Sequence, residues 1–243
     1  MKIKIVPLSW FGIIIVVGMI GSAFALSHLL IRLEKESKLQ VKGYAESNII
    51  SDRGRFDVVL TVSDKVLKTA YSTLNQQTDM VLAKIKTAGF KPEEITVGGM
   101  RTLKVVKKNA NGKDTNELDF YQLSQPITIA SDNVKLISSK YKTFNDLLLL
   151  GLEITVNSPE YFISNLDKCK MDLLAQATQN GYDRARLIAQ SSGGRIGGLK
   201  SARQGVFQIT APDSGDISDY GVYDLSSITK NAKIVVTLTY QLK

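Results

Sequence analysis

The side chains that most often perform catalysis are scarce in this sequence, which has one histidine, His28, and one cysteine, Cys169. His28 lies in an apolar stretch near the N-terminus, so the rest of the chain cannot form a histidine-dependent triad or a histidine-based zinc site. A single cysteine cannot form an internal disulfide. Cys169 falls at helical spacing with apolar residues, which predicts a small side chain buried in the core. We therefore predict no catalytic residue, cofactor or metal, and expect that the protein is not an enzyme.

Two loops have the amino-acid composition of ligand-binding loops, but their residues are not arranged in the order or spacing that such loops need. The glycine-rich run at residues 193–198 follows a predicted helix and precedes a strand, whereas a phosphate-binding loop precedes a helix. The aspartate-rich loop at residues 211–230 lacks the EF-hand spacing, which favours a solvated loop. A carboxylate-based hydrolase is a less favoured alternative, because two acidic residues that are distant in the sequence can form a catalytic pair once the chain has folded.

Two groups of residues are candidates for binding rather than for catalysis. Tyr220 and Tyr223, in the polar loop, are candidate contacts for self-association. A basic cluster on a predicted hairpin is a candidate surface for anionic lipid or cell-wall glycan. The members of this cluster are Arg101, Lys104, Lys107, Lys108 and Lys113. The simpler interpretation of the cluster is a solvated hairpin that binds nothing.

An apolar segment near the N-terminus, residues 8–31, carries no aspartate, glutamate, lysine or arginine. A helix needs roughly 20 apolar residues to cross a bilayer, so this segment is long enough. Lys2 and Lys4 precede it, which favours a cytoplasmic N-terminus. We predict a cytoplasmic N-terminus at 1–7, a single-pass membrane anchor at 8–31, a spacer at 32–38 and a domain outside the cytoplasm beyond it.

A cleaved signal peptide is the alternative interpretation of the same segment. Ala23-Phe24-Ala25 has the small-x-small form of a signal-peptidase site, and cleavage near Ala25 would release a secreted or periplasmic protein. The apolar run continues past that site to Ile31, whereas the apolar region of a signal peptide usually has about 7 to 15 residues. The length therefore favours the uncleaved anchor.

The charge balance limits the kinds of partner. The chain has 31 basic and 23 acidic residues, and without Lys2 and Lys4 the balance is 29 against 23, a net charge of +6. A modest positive charge on an exported domain suits an anionic envelope polymer, whereas the predicted anchor argues against nucleic acid. The remaining length of about 210 residues is enough for one large domain or two joined small ones.

Hydrophobic periodicity predicts the element order β-β-α-β-β-α-β-α-β-β. The first two strands, residues 39–45 and 56–63, are expected to form a hairpin. Helices are predicted at 67–89, at 134–148, and from Phe162 to the glycines at 193–194. This order predicts an α+β domain over residues 39–243, with a largely antiparallel sheet and three helices packed on it, after one N-terminal transmembrane helix.

Some local features of this domain are also predicted. The strand candidate at 95–106 is weakened by Gly98-Gly99, and Pro126 suggests an edge strand or a bulge. Asp132 is a candidate N-cap for the second helix. The third helix carries a column of small residues that lets its backbone approach a sheet closely; they are Ala177, Gly181, Ala185 and Ala189.

Several of these segments together resemble the SIMPL-domain family of exported bacterial proteins. They are Val41-Lys42-Gly43-Tyr44-Ala45-Glu46, the strand at 56–63, the helix at 67–89, Phe120 to Ile127, the alanine-rich third helix, Gly193-Gly194 and the closing strand through Leu242. The resemblance covers roughly residues 39–242 and brings no catalytic motif.

This resemblance implies an α+β fold, a cell-envelope location, homo-oligomeric assembly in some relatives and a loose link to stress defence. The apparent uncleaved anchor departs from the plain signal peptide of many relatives. We therefore expect a membrane-anchored, periplasm-facing protein with a structural or interaction role in the cell envelope. The expected partners are the inner membrane through residues 8–31, further copies of the chain and an anionic envelope polymer, but not nucleic acid.

Overall fold

The computed structural model describes residues 15–24, 27, 37–215 and 218–243. These residues form an α+β fold with two β-sheets and four α-helices. The predicted α+β class is confirmed. The prediction of a single sheet is wrong, because the strands divide between two sheets. Of the four helices, α1 covers residues 15–24, within the segment that was predicted as the transmembrane helix.

The predicted membrane anchor, residues 8–31, lies mostly outside the described residues, as do residues 1–7 and most of the predicted spacer. Of the anchor, the structure describes residues 15–24 and 27. Over the part of the chain that is described, none of the helices combines the length and the apolar character that a bilayer crossing requires.

The other helices and the strands are bounded as follows. The helices are α2 (Leu67–Thr87), α3 (Val134–Lys140) and α4 (Leu166–Ser191), with 3-10 helices at Pro92–Glu94 and Tyr141–Leu150. The strands are β1 (Lys38–Ile50), β2 (Arg53–Asp64), β3 (Ile95–Val97), β4 (Arg101–Lys108), β5 (Asp114–Ser131), β6 (Glu153–Val156), β7 (Glu160–Phe162), β8 (Ile196–Gln204), β9 (Gln208–Thr210), β10 (Val222–Tyr223) and β11 (Thr229–Leu242).

The described chain divides into two compact units, of which the first comprises residues 37–45, Leu173–Gly205 and Ile234–Lys243. In this unit β8 pairs antiparallel with β11. The predicted column of small residues on α4 is buried, from Ala177 to Ala189. It faces Gly43 of β1 so closely that a Cβ on Gly43 would lie 2.0 Å from the carbonyl oxygen of Ala177. Small side chains therefore set the distance between helix and strand here.

The second unit comprises Glu46–Asp172 and Val206–Lys233 and holds the six-stranded sheet. The strand order is β3-β5-β2-β6, with β4 also paired to β5 and β7 also paired to β2. All of these pairings are antiparallel. In the same unit β9 pairs antiparallel with residues 231–233 of β11 and parallel with β10.

The core of the second unit follows from strict alternation along β2. The side chains of Phe56, Val58, Leu60 and Val62 are buried, and the residues between them are not. Against this face pack the apolar face of α2 and the aromatic rings of Phe90 and Phe144. Helices α2 and α3 and the 3-10 helix Tyr141–Leu150 thus pack on the six-stranded sheet.

The predicted hairpin of the first two strands is wrong. β1 adjoins β11, whereas β2 lies between β5 and the pair β6 and β7. The turn residues carry the chain from one sheet to the other: Ser51 N–H donates to the carbonyl of Ile228 at 2.8 Å, and Asp52 N–H to that of Phe162 at 3.0 Å. Alternation shows which face of a strand is buried, but not which strand it joins.

The weak point predicted at Gly98-Gly99 separates β3 from β4. Gly98 N–H donates to the carbonyl of Pro126 at 2.8 Å, and a Cβ on Gly98 would lie 2.8 Å from Pro126 Cγ. The nitrogen and the carbonyl of a strand residue point to the same side of the strand. The side of β5 that faces the interruption is therefore the side on which Pro126 has no N–H to donate. Pro126 therefore lies in a central strand opposite a gap, rather than on an edge.

Candidate interaction site

β4 and the first part of β5 form a hairpin that extends beyond the rest of the sheet; we call residues 101–120 the arm. Pairing of β5 with β2 begins only at Tyr121, so among the described residues this part of β5 pairs with β4 alone. No residue of the arm is buried. The register nevertheless places Leu103, Val105 and Phe120 on one face, and Leu103 is 54% exposed.

The turn at the end of the arm is well defined. Asn109 Oδ1 accepts hydrogen bonds from the backbone N–H groups of Asn111 and Lys113, both at 3.0 Å. Gly112 has a φ of 76°, as its place in an Asn-Gly pair predicts. The turn therefore fixes the pairing at the end of the arm, whereas the register shifts between Val105 and Lys108.

All five members of the predicted basic cluster lie on the arm and are exposed. The return strand reduces their net charge, because Lys107 Nζ lies 3.1 Å from Glu117 Oε2 and Lys108 is opposite Asp114. With Asp119 the arm has five basic and three acidic residues, a net charge of +2. The sequence interpretation counted the basic residues without the acidic residues that the hairpin brings beside them.

The two predicted tyrosines lie away from the arm, at the end of the polar loop. Tyr220 is 97% exposed, and Tyr223 of β10 is 41% exposed. β10 is the last strand in its sheet order, so Tyr223 lies at a sheet edge. An exposed tyrosine offers a large ring and a polar tip, which is the chemistry that interfaces favour.

A buried lysine holds the segment that follows these tyrosines. The side chain of Lys230 is fully buried, and its Nζ donates to the carbonyl oxygens of Asp224 and Ser227, both at 2.6 Å. The Asp224 carboxylate lies 3.7 Å from Nζ and accepts hydrogen bonds from Ser226 and Ser227. No pattern in the sequence predicts this contact, because Lys230 is there only the last residue of a polar loop.

The protonation of this pair follows from its surroundings. Burial raises the pKa of the Asp224 carboxyl, but the hydrogen bonds from Ser226 and Ser227 and the charge of Lys230 outweigh it and lower the pKa to about 2. Burial lowers the pKa of Lys230, and Asp224 opposes that shift. Since the lysine is enclosed and its donors are engaged, the pair stabilises the loop rather than presenting a nucleophile.

A pocket of about 550 Å³ opens beside the start of α3. Its lining residues are Ile50, Ser51, Asp52, Asp132, Asn133, Val134, Lys135 and Ile228. Asp52 Oδ1 accepts hydrogen bonds from the backbone and the hydroxyl of Ser164, and Asp132 lies 3.9 Å from Arg53 Nε. The two carboxylates thus line one pocket, and each has a polar or charged neighbour of its own.

Two local predictions near these features are corrected. Asn133, not Asp132, caps α3, because its Oδ1 accepts the Leu136 N–H at 3.0 Å. Cys169 is half-buried rather than buried. Burial and the neighbouring Asp172 raise the pKa of its thiol, which lowers the fraction of reactive thiolate at neutral pH.

A family model described as SIMPL, a protein of unknown function (DUF541), matches residues 39–226. The chain belongs to this family, as the resemblance in the sequence predicted. A comparison with curated proteins finds none that matches the chain.

Proposed function

We propose that the protein is a structural or interaction module of the bacterial cell envelope, without catalytic activity of its own. Residues 8–31 tether it to the inner membrane, and the remainder faces the periplasm and self-associates. The tether is proposed from the length of the apolar segment and the lysines before it.

The observation that carries the proposal is the uncovered arm. A two-stranded hairpin gains little stability in water, and in this one, among the described residues, Leu103 is exposed and Val105 and Phe120 are only half-buried. The side chains of Leu103, Val105 and Phe120 lie together on one face, where a partner surface would bury them. Each leucine or phenylalanine buried in this way contributes about 1.5–3 kcal/mol.

A second copy of the chain fits the arm better than a uniformly anionic polymer does. The arm carries both signs of charge within a few residues, from Lys107 and Lys108 to Asp114 and Glu117. Such a mixture can form pairs with a copy of itself, whereas its acidic residues repel an anionic chain. The exposed Tyr220 offers a second contact of the kind that interfaces use.

Light scattering of the full chain in mild detergent, at two salt concentrations, tests this proposal. We expect a discrete oligomer that persists at high salt, since apolar contacts are not screened. Leu103→Ser with Phe120→Ser should shift the mass towards the monomer. Leu187→Ser is the matched control, because Leu187 is 65% exposed on α4, outside the arm. A wild-type monomer, or an equal effect of the control, would refute the role of the arm.

Binding of anionic lipid or cell-wall glycan is the second candidate, since all five basic side chains of the arm are exposed. Charge reversal at Lys104, Lys107 and Lys108 together should abolish retention on immobilised anionic glycan. Leu103→Ser should leave that retention unchanged. Unchanged retention after charge reversal would rule this candidate out.

A further inference from the structure

Three consecutive leucines are exposed at the end of the second 3-10 helix. Leu148 is 52% exposed, Leu149 is 88% exposed and Leu150 is 64% exposed. We call these residues the leucine tip. Soluble proteins do expose single apolar side chains, but a contiguous group of them marks a surface that contacts something apolar.

The leucine tip is held by the structure rather than being a frayed end. Phe144 and Leu147, one 3-10 turn apart, are buried and attach the helix to the core. Gly151 ends the helix with a φ of 79°, and its N–H donates to the carbonyl of Leu148 at 3.0 Å. Leu152 is buried immediately afterwards. The three side chains therefore project from a fixed backbone.

Charge around the leucine tip indicates what it contacts. Lys142 lies two 3-10 turns before Leu148, on the same row of the helix, and Lys140 precedes it. The acidic residue of this helix, Asp146, lies 3.9 Å from Lys84 of α2, which offsets its charge. Lys84, Lys140 and Lys142 thus accompany two acidic residues, Asp146 and the exposed Glu153 at the start of β6.

We propose that the leucine tip docks on an anionic lipid bilayer, its leucines in the acyl boundary and its lysines at the phosphate groups. Apolar side chains beside basic ones are what a surface-bound segment needs, because burial of apolar area and attraction to anionic headgroups act together. This proposal rests on the proposed membrane location. Self-association involves the arm instead, so either can fail without the other.

Depth-dependent quenching of a fluorophore tests the proposal in the full chain. Leu149→Cys, in a Cys169→Ser background, is labelled with an environment-sensitive dye, and the protein is reconstituted into phosphatidylcholine vesicles containing phosphatidylglycerol. Leu187→Cys in the same background is the matched control, because Leu187 is a 65% exposed leucine on α4, outside both the arm and the leucine tip. Lipids brominated on their acyl chains quench only a dye that enters the bilayer.

We expect quenching at position 149 to exceed that at position 187 by at least about twofold, with a blue shift of the emission. Lys140→Glu with Lys142→Glu should reduce that quenching in anionic vesicles. Equal quenching at the two positions would overturn the proposal. So would energy transfer between labelled copies at position 149 in detergent, because the leucine tip would then contact a second chain. Melting of each variant, followed by circular dichroism, verifies that it is folded.

Discussion

Two glycines determine how closely a helix and a strand of the first unit can pack. Gly43 and Gly181 lie where β1 and α4 approach, and a Cβ on Gly181 would lie 2.7 Å from Leu238 Cδ1. The neighbour of Gly43 is backbone, the carbonyl of Ala177, which cannot move aside as a side chain can. This explains on physical grounds why glycine stands in the Val-Lys-Gly-Tyr-Ala-Glu segment.

Gly43→Ala should destabilise the protein strongly, because the added methyl group overlaps a backbone atom. We expect a loss of about 3 kcal/mol in the free energy of unfolding, or failure to fold. Urea denaturation followed by circular dichroism measures it. Gly99→Ala is the control, since a Cβ there meets nothing within 4 Å and its φ is not in the left-handed region. Equal midpoints for the two variants would contradict the close approach.

The carboxyl of Asp224 should make stability depend on acid. Its folded pKa of about 2 lies below the ordinary value of 3.8, so the folded state holds the charged form more firmly than the unfolded chain does. The resulting stabilisation is fully present above pH 3.8 and is lost as the pH falls towards 2; it amounts to about 2 kcal/mol. Denaturant titrations between pH 2 and pH 5 measure this slope.

Asp224→Asn should lower stability at neutral pH and flatten the slope between pH 4 and pH 2. Asp219→Asn, an exposed aspartate in the same loop, is the control and should change neither. An unchanged acid slope in Asp224→Asn would mean that Lys230 does not depend on this carboxylate.

At the scale of the elements, the arm differs from the rest of its sheet in how β5 is paired. β5 continues from it into a segment that pairs with β2 on one side and with β3 and β4 on the other. One strand thus has an outer half with a single neighbour and an inner half in the core, where Leu123, Ile127 and Ile129 are buried. Local stability should therefore change along β5.

Amide hydrogen exchange should reveal that change. In dilute monomer we expect residues 101–120 to exchange at least about 100-fold faster than residues 123–131, because the arm opens without disturbing the core. Self-association should slow exchange in the arm and leave the inner half of β5 as it was. Mass spectrometry of peptides at two protein concentrations measures both. Equal protection in the monomer would show that the arm is a stable element without a partner.

The sequence predicts elements that carry their own periodicity and misses those that depend on distant pairing. Helix α2 is found at its predicted place, because Leu74, Thr78, Val81 and Ile85 form one buried face. The hairpin of β1 and β2 is wrong, because alternation along a strand does not name its partner. The chain between Ile196 and Thr210 is divided into β8 and β9 for a similar reason, because its two parts pair with different stretches of β11.

The candidate sites, too, can be predicted from the sequence only where they do not depend on pairing between distant residues. Tyr220 is exposed, and exposure of a tyrosine in a polar loop follows from local sequence. The reduced charge of the arm does not, because Glu117 and Asp114 come beside Lys107 and Lys108 only when the hairpin closes. The sequence does not predict the leucine tip, because Leu147 to Leu150 form one continuous apolar run. In the structure the 3-10 helix buries only Leu147 of these four leucines.

At the scale of the whole molecule, the two units are not consecutive stretches of chain. The first is assembled from three segments and the second from two, and β1, β11 and α4 contribute residues to both. A linear reading therefore predicted one domain from 39 to 243, because composition does not change where the chain passes from one unit to the other. Truncation at any single point between those residues removes parts of both units or interrupts one of them.

The proposed membrane location makes a prediction about the N-terminus of the mature protein. Three leucines beside a few lysines give weak, reversible binding, as a single membrane signal does. An anchor at residues 8–31 would hold the leucine tip at high effective concentration near the bilayer, so that weak docking suffices. We therefore expect the mature protein to retain this segment, and the intact mass of protein extracted from membranes to include it. A mature N-terminus at Leu26 would overturn the anchor, and the leucine tip alone would then be too weak to keep the protein in the membrane fraction during a salt wash.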